Sequence, residues 1–198
     1  MIHVITGATG DVGSRVVELL FERGIRPRIF VRNAEKARAR FGDRADVSTG
    51  DLADEAALLA SLKGADSLFL LNSGPAIASL DALAARAARA SGVQHIVKMS
   101  SLDVEQSLAI GAWHEEGEAA IRASRIGFTF VRPAGFMSNL LAWADSVKAG
   151  GVVRTSTGDG RRAFIHSADI VCSRGGVGEP KVSRQGTGVY RPRGGHVC

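Results

Sequence analysis

The sequence feature that most constrains the fold is a glycine-rich segment between a predicted strand and a predicted helix. Residues 2–6 form a short apolar run typical of a buried strand, and residues 12–23 place apolar side chains at helical spacing. Between them, Gly7, Gly10 and Gly13 stand in a Gly-x-x-Gly-x-x-Gly pattern. A strand, a glycine loop and a helix in this order predict the opening unit of a dinucleotide-binding fold.

The same alternation of apolar runs and helical patterns continues to about residue 170. The predicted strands are 2–6, 28–31, 46–49, 67–71, 93–99 and 128–131. The predicted helices are 12–23, 34–41, 54–62, 77–90, 112–124 and 138–149, and Asn33 is predicted to cap the second of them. Residues 162–170 are predicted to form a loop that returns towards the sheet. This pattern predicts an α/β fold, a doubly wound parallel sheet covered by helices on both faces. The expected strand order is 3-2-1-4-5-6, since crossovers are right-handed and the chain reverses direction after the third strand.

The glycine loop predicts the phosphate-binding part of an NAD(P)-binding Rossmann domain over residues 1–170. Gly7 permits a tight turn, Gly10 lets the backbone approach a pyrophosphate, and Gly13 lets the helix pack closely on the strand. The N–H groups at the start of the helix then face the phosphates. The candidate cofactor-binding residues of this segment are Thr6, Gly7, Thr9, Gly10, Asp11, Val12 and Gly13.

The end of the second strand bears on which dinucleotide is bound. NAD-preferring sites usually carry Asp or Glu there, whereas this chain has Arg32. Arg32, with Arg15 from the first helix, would face a 2′-phosphate and give NADP(H) a ~10–100-fold preference over NAD(H). Alternatively, Arg32 is a solvated residue that opens the second helix. Asp51 and Leu52 are expected at the adenine edge, and a helix N-cap is an equally good interpretation of Asp51.

Composition and charge exclude several classes of protein. Most of the net charge of +5 comes from residues 171–198, which are rich in glycine and lack periodic apolar residues. Without a basic helix or interleaved aromatic residues, nucleic-acid binding is not expected. This segment is expected to be either a disordered tail or a frameshifted or truncated terminus.

No apolar run approaches ~18 residues, so no membrane span is expected. The N-terminus has no signal-peptide pattern, and two cysteines cannot form a disulfide framework, so a cytoplasmic location is expected. The histidines have no metal-ligand spacing, and no metal is predicted.

Taken in order, further motifs make the chain resemble a known family over residues 1 to about 170. They are Val31-Arg32-Asn33, Asp51-Leu52, Lys98-Met99-Ser100-Ser101, His114-x-x-x-Glu118 and Arg132-Pro133-x-x-Phe136-Met137-x-Asn139. With Thr6–Gly13, this set resembles the atypical short-chain dehydrogenase/reductases, and more narrowly the NmrA-like group of NADPH-dependent quinone reductases and silent redox sensors. The resemblance implies that Leu71, Asn72 and Ser73 pass beside the cofactor. It also implies that Pro133, Phe136, Met137 and Asn139 line the nicotinamide and substrate side.

The chain departs from the wider family at two places. Extended members use a Tyr-x-x-x-Lys pair as proton donor, but here these positions fall on Ile110 and His114, and the only tyrosine is Tyr190. Carbonyl reduction with a tyrosine acid is therefore not expected. After Ile170 the chain no longer matches the family's continuation into the substrate cleft.

The remaining candidate catalytic residues are His114 and Ser100, and Ser100 is also a candidate cofactor-binding residue. His114 could protonate a quinone oxygen if its pKa stays near 6.5, and Ser100 could hydrogen-bond the substrate oxygen. The alternatives are a surface histidine beside Trp113 and a serine that caps a strand end. On the same helix, Glu115, Glu116 and Glu118 are expected to form a charged face, with Glu118 and Arg122 as an i,i+4 pair. We expect an NADPH-dependent oxidoreductase that transfers hydride to a quinone-like or enone-like small molecule. A non-catalytic NADP(H) redox sensor and an inactive truncated member are the alternatives, and the sequence leaves the oligomeric state open.

Overall fold

The computed structural model describes residues 1–105, 109–155, 160–161, 163–172 and 189–190. Within these residues a parallel sheet forms the centre of the chain, and short strands also occur outside it. The strands are His3–Thr6 (β1), Arg28–Val31 (β2), Asp46–Thr49 (β3), Ser67–Leu70 (β4), His95–Met99 (β5), Gly127–Val131 (β6), Gly135–Phe136 (β7), Phe164–Ile165 (β8) and Val189–Tyr190 (β9).

Helices connect the strands of the sheet. They are Asp11–Glu22 (α1), Ala34–Phe41 (α2), Glu55–Leu62 (α3), Ile77–Ala90 (α4), Ala109–Ala123 (α5), Ala144–Gly150 (α6) and Ser167–Cys172 (α7), with 3₁₀ turns at Gly42–Arg44, Leu102–Val104 and Met137–Trp143. Side chains cap α2 and α3 at their first turns. Asn33 accepts a hydrogen bond from the Lys36 backbone N–H at 2.8 Å, as the sequence predicts, and Asp54 caps α3 through the Ala57 N–H at 3.0 Å.

The sheet has the order β3-β2-β1-β4-β5-β6-β9, and every neighbouring pair is parallel. The predicted order 3-2-1-4-5-6 is therefore confirmed. The order in which the chain adds strands reverses between β1 and β4, so a crevice in which a ligand can lie opens at the carboxyl ends of these two strands. The glycine loop follows β1 at this crevice.

Alternating side chains along the strands build two cores, one on each face of the sheet. Ile5 points into a core that α1, α2 and α7 cover, with Val16 and Ile170 among its members. Val4 points into the other core, to which Leu58 of α3, the alanines of α4 and Ile121 of α5 contribute. The central strands β1, β2 and β4 are buried on both sides, and most of their residues are therefore apolar. The doubly wound α/β fold is confirmed.

Two predicted segments differ from the structure. The predicted helix 138–149 begins as a 3₁₀ helix, Met137–Trp143, and becomes α-helical only at Ala144. The predicted loop 162–170 instead contains β8, which pairs with β7, and the start of α7. Helix α7 forms because Ile170 and Val171 bury their side chains against α1, a long-range contact that the local pattern does not show.

Most of the tail predicted for residues 171–198 lies outside the described residues. Of its described part, Val171 is buried in the core and β9 pairs with the end of β6, Val131 standing opposite Tyr190. The boundary at residue 170 stays a prediction. No helix among the described residues is long and apolar enough to cross a membrane.

Candidate functional site

The glycine loop has the geometry that its sequence predicts. Gly7 adopts a positive φ of 64°, and its carbonyl accepts a hydrogen bond from the Gly10 N–H at 3.0 Å, which closes the turn. A Cβ on Gly7 would meet the Leu71 side chain at 2.6 Å, and a Cβ on Gly13 would run into the Gly7 carbonyl. The loop therefore needs glycine at both positions, and it leads directly into the first turn of α1.

A cleft of about 740 Å³ opens at the carboxyl ends of β1, β2, β3 and β4. Its lining residues come from the glycine loop, from the ends of these strands and the segments that follow them, and from α4. They are Thr6, Gly7, Ala8, Thr9, Phe30, Val31, Arg32, Asn33, Lys36, Gly50, Asp51, Leu52, Leu71, Asn72, Ser73 and Leu80. Nine of the residues predicted to bind cofactor are therefore brought to one cleft: Thr6, Gly7, Thr9, Arg32, Asp51, Leu52, Leu71, Asn72 and Ser73.

The end of the cleft beside β2 is positively charged. Arg32 lies there with its side chain exposed, and Lys36 from the first turn of α2 lines the same wall. The sequence analysis missed Lys36. The Asn33 cap indicates where Lys36 lies, because a residue three positions after a helix N-cap is in the first turn, beside the end of the preceding strand.

Two predicted cofactor residues on α1 turn away from the cleft. The Arg15 guanidinium contacts the Glu18 carboxylate at 3.4 Å, on the exposed side of the helix. Hydrogen bonds from Ser138 and Ser167, in that order, hold the pKa of the Asp11 carboxyl below its usual range. The structure thus places Asp11 against two segments late in the chain, and it does not bring Arg15 to the cleft.

The remaining loop residues have structural positions. Val12 is buried in the core beneath α1, and Gly10 and Gly13 shape the turn without lining the cleft. The Thr6 hydroxyl is buried, donates to the Leu71 carbonyl at 2.9 Å and accepts from the Leu71 N–H at 2.7 Å. Thr6 therefore fastens the end of β4 to the end of β1.

Asp51 lines the cleft in a turn that its own side chain closes. Its carboxylate accepts the Ala53 N–H at 2.9 Å, whereas Asp54 caps α3. The alternative interpretation of Asp51 as a helix N-cap is wrong, since the helix begins three residues later than that interpretation needs.

Behind the cleft, polar residues of β5, α4, α5 and the neighbouring loops form a group that we call the inner polar cluster. Its members are Asn72, Asp81, Lys98, Ser100, His114, Glu118 and Arg132. Asp81 and Lys98 are completely buried, and Lys98 Nζ lies 2.9 Å from Asp81 Oδ1. Burial raises the pKa of Asp81 and lowers the pKa of Lys98, each shift being opposed by the partner's charge.

Glu118 is the centre of the second half of this cluster. It accepts hydrogen bonds from Ser100 Oγ at 2.7 Å, from Arg132 Nε at 2.8 Å and from Arg122 at 2.8 Å. Burial alone would raise the pKa of Glu118, but the bonds from Arg132 and Ser100 hold it below the ordinary value. The predicted Glu118–Arg122 pair is confirmed. The expectation that Glu118 belongs to a charged surface face is wrong, because α5 turns this carboxylate inward.

His114 is buried next to Lys98 and Glu118. Burial, followed by the Lys98 charge, lowers the pKa of His114 from 6.5 to about 4. The expectation of a pKa near 6.5 is therefore wrong, as is the alternative of a surface histidine. Among the described residues, its Nδ1 atom has no hydrogen-bond partner. At neutral pH the ring is uncharged, so it can donate one N–H hydrogen bond but is a poor source of a proton.

Ser100 has a defined partner in its Glu118 hydrogen bond, and it does not line the cleft. The residues implied for the substrate side follow β6 in the chain. Pro133 is buried, Phe136 is part of β7, and Met137 and Asn139 are exposed on the 3₁₀ helix. Their substrate role stays a prediction. Within the described part of the chain, no group of three His, Cys, Asp or Glu residues could hold a metal ion.

Comparison with known proteins agrees with this geometry. A family model described as NAD(P)H-binding matches residues 7–171. The (4-alkanoyl-5-oxo-2,5-dihydrofuran-3-yl)methyl phosphate reductase of Streptomyces griseus subsp. griseus is 40% identical over 170 residues, 84% of this chain and 59% of that protein. The NAD(P)H azoreductase of Xenophilus azovorans is 32% identical, over the same shares of the two chains.

The solved structures give the same picture. An NADPH-dependent quinone oxidoreductase from Escherichia coli, complexed with NADPH, superposes with a TM-score of 0.79 at 33% identity. The match covers 86% of this chain and 62% of that one. The chain therefore spans about three fifths of the length of these relatives. The glycine turn, the cleft and its basic end are features that fit a dinucleotide.

Proposed function

This chain belongs to the NAD(P)H-binding family. We propose that it binds NADP(H) in the cleft and acts as a reductase of quinone-like or enone-like small molecules. The observation that carries the proposal is the cleft itself, with the glycine turn at one end and the two cations at the other. The helix start and loop N–H groups suit the pyrophosphate, and the basic end suits a 2′-phosphate.

Preference for NADP(H) rests on Arg32 and Lys36. An NAD site offers a carboxylate to the ribose hydroxyls at the end of β2, and this cleft offers cations there. Both side chains are exposed, so the preference depends on salt concentration. Asp51, on the neighbouring wall, remains available for the adenine edge.

The bound nicotinamide would supply the hydride, and the chain would orient it and stabilise the reduced oxygen. His114 would take part as a neutral ring that donates one hydrogen bond, because its pKa of about 4 leaves it uncharged at pH 7. Such weak acid assistance suits a quinone better than a ketone, since the reduced quinone is an aromatic oxyanion. The reduced substrate would then take its proton from solvent.

The first experiment is thermal unfolding with NADPH and NADH titrated in parallel. A ligand that binds only the folded state adds about 2.7 kcal/mol at 100 times its Kd. We expect NADPH to stabilise the chain more than NADH does. Arg32→Ala and Lys36→Ala should each weaken NADPH binding ~10-fold and leave NADH binding within ~2-fold.

Arg15→Ala is the matched control, because it removes a nearby arginine that pairs with Glu18 outside the cleft. We expect this variant to bind NADPH like the parent chain. Equal stabilisation by the two dinucleotides would contradict the preference, and no stabilisation by either would contradict the proposed cofactor.

A non-catalytic NADP(H) sensor is the second candidate, and the buried neutral His114 favours it. NADPH oxidation with an added quinone separates the two, with the His114→Gln variant as reference. Turnover that exceeds this variant supports the reductase, and NADPH binding without any turnover supports the sensor.

A further inference from the structure

Asn72 lines the cleft, and its side chain is hydrogen-bonded to two buried members of the inner polar cluster, Lys98 and Asp81. Lys98 Nζ donates to its Oδ1 atom at 2.6 Å, and its Nδ2 atom donates to Asp81 Oδ1 at 2.9 Å. Lys98 also donates to the same Asp81 oxygen at 2.9 Å. The three side chains therefore close a ring of hydrogen bonds at the end of β4.

The chemistry of this ring fixes which way the Asn72 amide points. An ammonium group can only donate and a carboxylate can only accept, so the amide oxygen must face Lys98 and the amide nitrogen must face Asp81. One N–H and one lone pair of Asn72 remain for a ligand in the cleft. A free asparagine would present either end.

Lys98 and Asp81 are the shielded members of this ring. Both side chains are completely buried, Lys98 on β5 and Asp81 on α4, with α5 packed against Asp81. Gly117 of α5 sits directly over Asp81, and a Cβ there would collide with Asp81 Oδ2. That oxygen has no hydrogen-bond partner among the described residues, so the carboxylate makes its contacts with Lys98 and Asn72 through Oδ1.

We propose that the buried Lys98–Asp81 pair is a positioning device that holds the Asn72 amide in one orientation for the dinucleotide. A buried ion pair adds little stability compared with apolar residues of the same size, so stability alone does not account for it. Holding a ligand-binding amide in one orientation lowers the entropy cost of binding. This inference rests on the proposed cofactor cleft, and it names residues that do not line that cleft.

The experiment is a double-mutant cycle read by NADPH affinity. Lys98→Met with Asp81→Leu replaces the pair by apolar side chains of similar shape, a change that buried pairs often tolerate. We expect NADPH Kd to rise ~10-fold in this variant, and ~10-fold in Asn72→Ala. When both changes are combined the rise should stay ~10-fold, because the pair acts through Asn72.

Controls separate positioning from folding. Asp81→Asn keeps an oxygen for Asn72 and Lys98, and it should bind NADPH within ~2-fold of the parent chain. Asp46→Asn breaks the Arg28–Asp46 pair at the opposite end of the sheet and should also leave NADPH affinity unchanged. Urea unfolding without ligand checks each fold. If the double variant does not fold, Lys98→Met with Asp81→Asn leaves no buried charge and a neutral amide that can face Asn72 with either end. This variant should also raise NADPH Kd ~10-fold, and parent-like affinity would overturn the proposal.

The outcomes distinguish this inference from the proposed function. A combined rise near 100-fold would show that the pair and Asn72 act independently, and this would overturn the positioning role. Parent-like affinity in the folded double variant would overturn it as well. If the parent chain binds neither dinucleotide, the proposed cofactor fails and the positioning role fails with it. With a quinone acceptor, positioning predicts a raised KM for NADPH at an unchanged kcat.

Discussion

The candidate cofactor cleft and the inner polar cluster lie at the same edge of the sheet but are built in opposite ways. The cleft uses backbone turns and exposed side chains at the ends of β1, β2, β3 and β4. The cluster uses charged side chains that are buried between α4, α5 and the ends of β5 and β6. Asn72 is the residue that belongs to both.

This difference assigns different tasks to similar residue types. Arg32 and Lys36 keep their charges in water, where they can meet a ligand at little cost. Glu118 and Asp81 have lost their water and depend on fixed partners, so replacing one partner leaves another stranded. Substitutions in the cleft should therefore change affinity, and substitutions in the cluster should change stability first.

The largest effect is expected from Glu118→Ala. This change removes the acceptor of Ser100, Arg122 and Arg132 and leaves the largely buried Arg132 without its main partner. We expect a loss of about 3–5 kcal/mol in the free energy of unfolding, measured by urea titration. Glu18→Ala, which breaks the exposed pairs with Arg15 and Arg40, should cost less than about 1 kcal/mol. Similar losses in the two variants would remove the distinction between the regions.

The next effect concerns acid stability. Because the pKa of His114 falls from 6.5 to about 4 on folding, the unfolded chain takes up a proton between these values and the folded chain does not. Stability is complete above pH 6.5 and is lost as the pH falls towards 4, by about 3 kcal/mol in total at 1.4 kcal/mol per unit.

His114→Gln should flatten this part of the profile in urea titrations from pH 7.5 to 5. About 2 kcal/mol of the parent's loss falls in that interval. Burial also lowers the pKa of His3 and His95, so the parent and the variant must be compared at each pH. A variant with the parent's slope would place the titrating group elsewhere.

The smallest effect on stability is expected in the cleft, where binding should nevertheless change most. Gly7→Ala and Gly64→Ala both force alanine to a positive φ, 64° and 71°, at a cost of about 1–2 kcal/mol each. A Cβ on Gly64 meets nothing within 4 Å, whereas one on Gly7 meets Leu71. We expect the NADPH-induced rise in Tm to disappear in Gly7→Ala and to persist in Gly64→Ala. Its loss in both would point to global destabilisation.

Most of the cleft could be predicted from the sequence because backbone rules act over a few residues. The spacing of Gly7, Gly10 and Gly13 and the position of Arg32 after a strand needed no distant contact. The predicted Asn33 cap could have located Lys36, since a helix cap determines which first-turn side chains lie beside the end of the strand. Lys36 was missed because only Arg32 was considered at this strand end. Arg15 failed to reach the cleft for the corresponding reason, since Glu18 is one turn away on the exposed face.

The inner polar cluster could not be predicted in the same way. His114 and Glu118 lie four residues apart, which places them on one face of a helix, and the sequence does not state whether that face meets water. Whether that face is buried depends on the packing of α4, α5 and the ends of β4, β5 and β6. The same holds for α7, which needs α1 beneath it.

The sequence by itself determined the glycine turn and the place of Arg32 at the end of β2, because periodicity and φ restrictions act over a few residues. It also determined the order of the first six strands, because crossovers between parallel strands are right-handed. Only the tertiary structure decided which polar residues lose their water. That step lowers the pKa of His114, confines the Lys98–Asp81 pair and pins the Asn72 amide, since desolvation depends on every element that packs around a group.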